Sequence, residues 1–263
     1  MATSLTLFTF GYWGWGTSTP QLIQAVDAVE GARGYEPPIF ADIRIRRAVR
    51  APGFSGSAFE RAIGADRYRW IRDLGNLGIL EGGGIRIKNP QAAEGLLDLA
   101  LDSMHASRRV LFFCACSFPG PPDNPICHRC TVAGLVLDAA KRRRVSATVV
   151  EWPGGEPVHE GPEIQATDAL YKALLHGRSS IPLPRDSALA AMAGLPWGSV
   201  VTVTPSRGNL WEPVKIGVGP ARYSTRGWYL PVIGTMDPDG SPETIRKAIS
   251  QWRNTCGLDA RMQ

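Results

Sequence analysis

Across the first 152 residues short apolar runs alternate with longer amphipathic ones, and this rhythm restricts the fold more than any other feature of the chain. LTLFTF (5–10), PPIFADIRI (37–45), RYRWIRDLG (67–75), RVLFFCAC (109–116) and VSATVVEW (145–152) have the length and residue types of strands. Helical segments separate them. In the stretch 18–34, Ser18 or Thr19 is placed to cap, Pro20 suits a first turn and Gly31 predicts a stop. SGSAFERAIG (55–64) reads as a short helix, and 89–108 as a longer one opened by Asn89-Pro90. CHRCTVAGLVLDAAKRRR (127–144) is the last helix before the final strand. Such alternation predicts a three-layer, Rossmann-like α/β domain with a largely parallel sheet and helices on both faces.

The pattern changes after Trp152. PGGEPVHEGPE (153–163) is turn-rich. A helix over 166–177 follows, then strand-like runs at 197–206, 214–219 and 227–234, and a closing helix over 241–254. The expected organisation is an α/β domain over 1–155 and an appended α+β region over 160–263.

Bulk composition narrows the class. The chain has 263 residues, 44% hydrophobic and 20% charged, which suits a globular protein able to bury a core without metals or disulfides. A net charge of +5 favours an anionic partner, either a small molecule or nucleic acid. Four of the five cysteines crowd into 114–130, unlike a secreted disulfide framework. The start MATSLTLFTFGYW lacks a basic n-region, and no apolar run approaches the roughly 20 residues of a membrane span. A cytoplasmic protein with reduced thiols, away from the membrane, is expected. Nothing in the sequence bears on its oligomeric state.

Ligands of open parallel sheets bind beyond the strands' C-terminal ends. Three unusual stretches fall there: GYWGWG (11–16), ADIRIRR (41–47) and CAC…CHRC (114–130). Tyr12, Asp42, Arg44, Cys114, Cys116, Cys127 and His128 are expected to face one crevice. Strand alternation puts Asp42 and Arg44 on one face. Arg44 offers a fork of donors to an anion, and Asp42 can orient a water or hydroxyl; the other reading is a structural ion pair. His128 and Arg129 open a helix, where N–H groups favour anions. Cys127, at the same helix start beside basic residues, is the candidate nucleophile. Trp13 or Trp15 can stack on a ring, although Gly11, Gly14 and Gly16 do not have dinucleotide-fingerprint spacing.

The thiols carry a competing reading. Cys127-x-x-Cys130 has zinc-ligand spacing, and Cys114-x-Cys116 can complete a tetrahedral set. A Cys127–Cys130 disulfide is the redox variant of this reading.

Gly11-Tyr12, Asp42-Ile43-Arg44, Leu74-Gly75-Asn76, Cys114 and Cys127-His128-Arg129 occur in an order that resembles the "domain of unknown function 488" family. The resemblance covers roughly residues 5–152 and implies an α/β fold with a pocket at these residues. Cys116 and Cys130 are additions to the family pattern. The convergence of polar residues at the strand ends of an otherwise apolar domain points to an enzyme, a hydrolase or transferase, acting on a phosphate-bearing or nucleobase-containing substrate. Asp42, Cys127 and His128 would be catalytic, and Tyr12, Trp13, Arg44 and Arg129 would bind substrate. The alternative is a zinc-stabilised module that binds nucleic acid or protein, with Cys114, Cys116, Cys127 and Cys130 on the metal.

Overall fold

Strand β1 (Leu5–Gly11) carries apolar side chains on both faces, Leu5 and Leu7 on one and Phe8 and Phe10 on the other, because it is covered on both. In the computed structural model it lies inside a five-stranded sheet with β2 (Glu36–Asp42), β3 (Tyr68–Trp70), β4 (Arg108–Cys114) and β5 (Ala147–Glu151). The order is β3-β2-β4-β1-β5, and every pairing is parallel. The structure describes residues 4–13, 15–116, 127–155, 157–183, 189–196, 198–206 and 212–235. The chain divides into two compact units between Trp152 and Pro153.

The strand order fixes where the helices go. Steps β1 to β2 and β2 to β3 run towards one edge; β3 to β4 and β4 to β5 run towards the other. Right-handed crossovers then put α1 (Thr19–Ala32) and α2 (Ala58–Ile63) on one face. The longer α4 (Ala92–His105) and α5 (His128–Arg142), which pack on each other, take the opposite face; the four-residue α3 (Gly78–Glu81) lies between β3 and α4.

Alternation sorts the side chains accordingly. Leu7, Ala41, Val110, Phe112 and Cys114 join the core beneath α4 and α5, with Leu96, Leu97, Val132 and Val136. Phe10, Phe40 and Phe113 point the other way and pack with Phe59 of α2 and with Phe54. Adjacent β1 and β4 thus send their outgoing helices to opposite faces, which makes their C-terminal ends a topological switch point.

Local expectations hold with small corrections. Pro20 lies in the first turn of α1, but neither Ser18 nor Thr19 caps it with a side chain; Thr19 Oγ1 donates to Gly16 O instead. Gly31 does not stop the helix, which runs to Ala32 before the chain turns at Gly34 with φ 82°. Strand β2 ends at Asp42, three residues earlier than the apolar run, and β3 is reduced to three residues at the sheet edge.

The second unit is built on a separate six-stranded sheet. Its members are β6 (Glu163–Ala166), β8 (Ser199–Pro205), β9 (Val214–Val218), β10 (Arg222–Ser224) and β11 (Gly227–Thr235), ordered β10-β11-β9-β8-β6, with β7 (Ser180–Pro182) paired to β11. Helices α6 (Asp168–Leu175) and α7 (Leu189–Ala193) accompany it. Only β6–β8 is parallel. Strand β6 was not legible as a separate element; its buried Ile164 and Ala166 between exposed Glu163 and Gln165 are a very short period-two signal. The closing helix expected over 241–254 lies outside the described residues.

Candidate functional site

Three of the four clustered thiols converge at the switch point. Cys114 is the last residue of β4 and projects towards α5. Cys127 is the N-cap of α5, with extended backbone (φ −126°, ψ 136°), and its Sγ accepts from the Arg129 N–H at 3.4 Å. The Cys114 and Cys127 sulfurs are 3.0 Å apart, and the Cys116 N–H donates to Cys114 Sγ at 3.4 Å. The sulfurs of Cys114, Cys116 and Cys127 all lie within 4.8 Å of one another. Tetrahedral thiolates about 2.3 Å from zinc are about 3.8 Å apart, so this spacing brackets a zinc ligand set.

Cys130 is not a member of the group. The expected four-cysteine set fails for a local reason. Residues three apart share a face only when both are helical, and Cys127 is not. Cys116 lies beyond the end of β4, so the alternation that would align it with Cys114 does not apply either; the backbone after the strand brings it in.

That backbone is clamped. A Cβ on Gly11 would stand 1.5 Å from the Cys116 carbonyl oxygen, so only glycine permits this approach. Arg129 Nη2 donates to the same oxygen at 3.3 Å, and the Tyr12 N–H donates to Cys114 O at 3.1 Å. Arg129 itself is completely buried, and its Nη1 donates to both oxygens of Glu151, at 2.8 and 3.0 Å. Glu151, at the end of β5, was missed in the sequence; its signal is an acid closing an otherwise apolar strand.

The electrostatics single out one sulfur. Side-chain contacts with Cys114 and Cys116, then with His128, together with the Arg129 charge, hold the Cys127 thiol far below its usual value despite burial. Burial pushes the Cys114 thiol up. The contact with Cys114 draws Cys116 down, but Cys127 and burial outweigh it and leave that thiol raised. Of the three, Cys127 is the one drawn towards the thiolate form.

Asp42 and Arg44 form a different site. Asp42 registers opposite Phe113, one step from Cys114, so its side chain leaves the opposite face of the sheet. The single crevice expected from the sequence is thus two sites, back to back. Asp42 is fully buried. Its Oδ1 accepts from the Arg44 N–H and Nε, at 3.0 and 2.7 Å; its Oδ2 accepts from Arg44 Nη2 and the Tyr68 hydroxyl, at 2.5 and 2.6 Å. Arg44 Nη1 donates to Tyr12 Oη and Phe54 O, at 3.2 and 2.9 Å, and Tyr12 stacks on Phe54. Burial opposes the Arg44 charge, but Asp42 outweighs it and raises the guanidinium above its usual range. The carboxylate and the guanidinium are committed to each other and to the aromatic core, the structural reading of the pair. Tyr68 was not anticipated as a partner.

His128 is buried beside Cys127, and its Nε2 donates to the Ile43 carbonyl at 3.1 Å; a carbonyl only accepts, so this nitrogen carries the proton. Trp13 is 69% exposed, whereas Trp15 is buried. The basic end of α5 is a solvated surface on which Arg142 and Arg143 pair with Glu94 and Asp98 of α4.

The first unit is therefore an α/β, Rossmann-like domain with a three-sulfur cluster at its switch point. Compared with known protein families, curated proteins and solved structures, the chain matches none. Among the described residues no helix is long and apolar enough to cross a membrane.

Proposed function

We propose that Cys114, Cys116 and Cys127 hold a zinc ion and that the first unit is a zinc enzyme. The observation that carries the reading is the convergence of three sulfurs within 4.8 Å. Several features support it. A domain of this size has no need of a metal staple. Three protein ligands among the described residues, with a further coordination position for substrate, would suit a catalytic site rather than a closed one. The cluster stands at the switch point, where open α/β sheets bind ligands. Zinc there would act as a Lewis acid on a substrate oxygen. Arg129, its charge met by Glu151, would position the site by holding the Cys116 carbonyl.

The substrate class in this reading remains a phosphate-bearing or nucleobase-containing molecule, consistent with the +5 charge. Arg44 and Arg129 lend it no support as anion binders, because both are buried against carboxylates. Membership of the domain of unknown function 488 family stays part of the proposal and rests on the ordered motifs. A reducing, cytoplasmic setting fits the free thiols.

The test is metal content by mass spectrometry, followed by replacement with Co²⁺. One metal per chain is expected, with sulfur-to-cobalt bands that shift when phosphate or a nucleotide is added. A metal-free protein with freely titrating thiols would remove the site. Cobalt bands of four-thiolate intensity that no added ligand moves would keep the metal but refute the enzyme.

A further inference from the structure

A second feature lies at the β3 edge of the same sheet, two strands from β4 and its Cys114. Strand β3 is one of the two edge strands and, among the described residues, pairs with β2 alone. Arg69 registers with Ala41 and Trp70 with Asp42; two residues on, Arg72 Nε donates to Ile45 O at 3.3 Å. Next to Ile45 comes Arg46, whose Nη2 donates to Ile79 O at 3.3 Å. They line one edge of the sheet, with Arg69 and Trp70 leaving its opposite faces. Arg46, Arg69, Trp70 and Arg72 are all exposed.

The charges on this edge are intact. Nearby acids are already engaged: Glu60 with Arg47, Glu81 with Arg86, Asp73 with Lys88 and Asp66 with Arg108. Among the described residues Arg46, Arg69 and Arg72 bond to backbone carbonyls, which orient a guanidinium without neutralising it. Trp70 is held in place as well. Its Nε1 donates to Arg44 O at 2.9 Å, and the Arg47 guanidinium lies 4.9 Å from its ring centroid. Even so, 41% of Trp70 stays exposed. An indole with its N–H satisfied has only ring surface left to offer, and fixing it beforehand lowers the entropy cost of stacking.

We infer that this edge is a docking strip for single-stranded nucleic acid. Three unneutralised arginines match a phosphate backbone, and a fixed, exposed indole matches an unpaired base. A duplex hides its base faces and would engage only the charges. An acidic protein would leave the ring without a specific role. This inference does not depend on the zinc reading.

The experiment is fluorescence anisotropy of the full chain with labelled mixed-sequence RNA and DNA single strands, and a duplex of equal length. Expected is binding at low salt with a slope of log K on log salt of about −2 for three contacts, or roughly a twentyfold loss between 50 and 200 mM. Each of Arg46→Ala, Arg69→Ala and Arg72→Ala should lower the slope by about 0.7. Trp70→Ala should weaken single-strand binding roughly tenfold or more and leave duplex binding unchanged. If Trp70→Ala misfolds, the three arginine variants, all at exposed side chains, still decide the matter. No binding at low salt, binding indifferent to the arginine variants, equal single-strand and duplex affinity insensitive to Trp70, or capture by anionic vesicles instead of oligonucleotide would each overturn the inference.

Discussion

Gly11→Ala probes the thiol cluster without touching a thiol. The added Cβ would lie 1.5 Å from the Cys116 carbonyl oxygen. Ordinary contact begins near 3.4 Å, so the two backbones must separate by about 2 Å. Gly11 cannot give way, because it registers with Cys114 in the ladder and the next N–H donates to Cys114 O. The movement therefore falls on Cys116. It breaks the bond from Arg129 and carries the sulfur away from its neighbours. Metal sites tolerate ligand errors of about 0.2 Å, so a shift ten times larger removes one ligand. Loss of an outer-shell partner costs roughly 10–100-fold in affinity, and loss of a ligand should exceed that. The fold itself should lose only about 1–3 kcal/mol, the usual cost of overpacking. Competition with a chromophoric chelator measures the affinity, and thermal melts with and without zinc separate the two effects. Wild-type zinc affinity in a folded Gly11→Ala protein would refute the reasoning.

Other outcomes follow from the same geometry. Cys130→Ser should keep zinc binding near wild type while Cys127→Ser abolishes it, as read by metal stoichiometry, because Cys130 stands outside the cluster. In metal-free protein, oxidation by a diazene reagent, itself reduced to the hydrazine, should join Cys114 to Cys127 rather than Cys127 to Cys130, since the first pair is 3.0 Å apart; peptide mapping reads the bond. Asp42→Ala should cost about 3–5 kcal/mol in urea unfolding, because it strands the buried Arg44 charge. Burial, with Asp42 alongside, raises the Tyr68 phenol above its ordinary value. Its neutral form therefore stabilises the fold below about pH 10, and that contribution is lost as pH rises beyond. Tyr68→Phe should flatten part of the alkaline limb of stability, with Tyr12, also raised by burial, accounting for some of the rest.

Much of this protein is written locally. The apolar runs of β1, β2, β4 and β5 and the periodic stretches of α1, α4 and α5 come from residue type and spacing, because strand and helix period are short-range properties. The residue types of the candidate site were equally visible: thiols, a helix-opening Cys-His-Arg, and Asp-x-Arg at a strand end. Their partnerships were not. Placement of β4 between β2 and β1 creates the switch point, and no local signal specifies strand order. Register set Asp42 opposite Phe113, one step out of phase with Cys114, and that single step sent the two groups to opposite faces. Gly11 reads as a turn residue until Cys116 O is seen against it. Arg129 reads as an anion binder until Glu151, from a strand on the far side of β1, is seen to neutralise it. Local chemistry chose the side chains; packing across the sheet, which joins residues far apart in the chain, chose which of them meet.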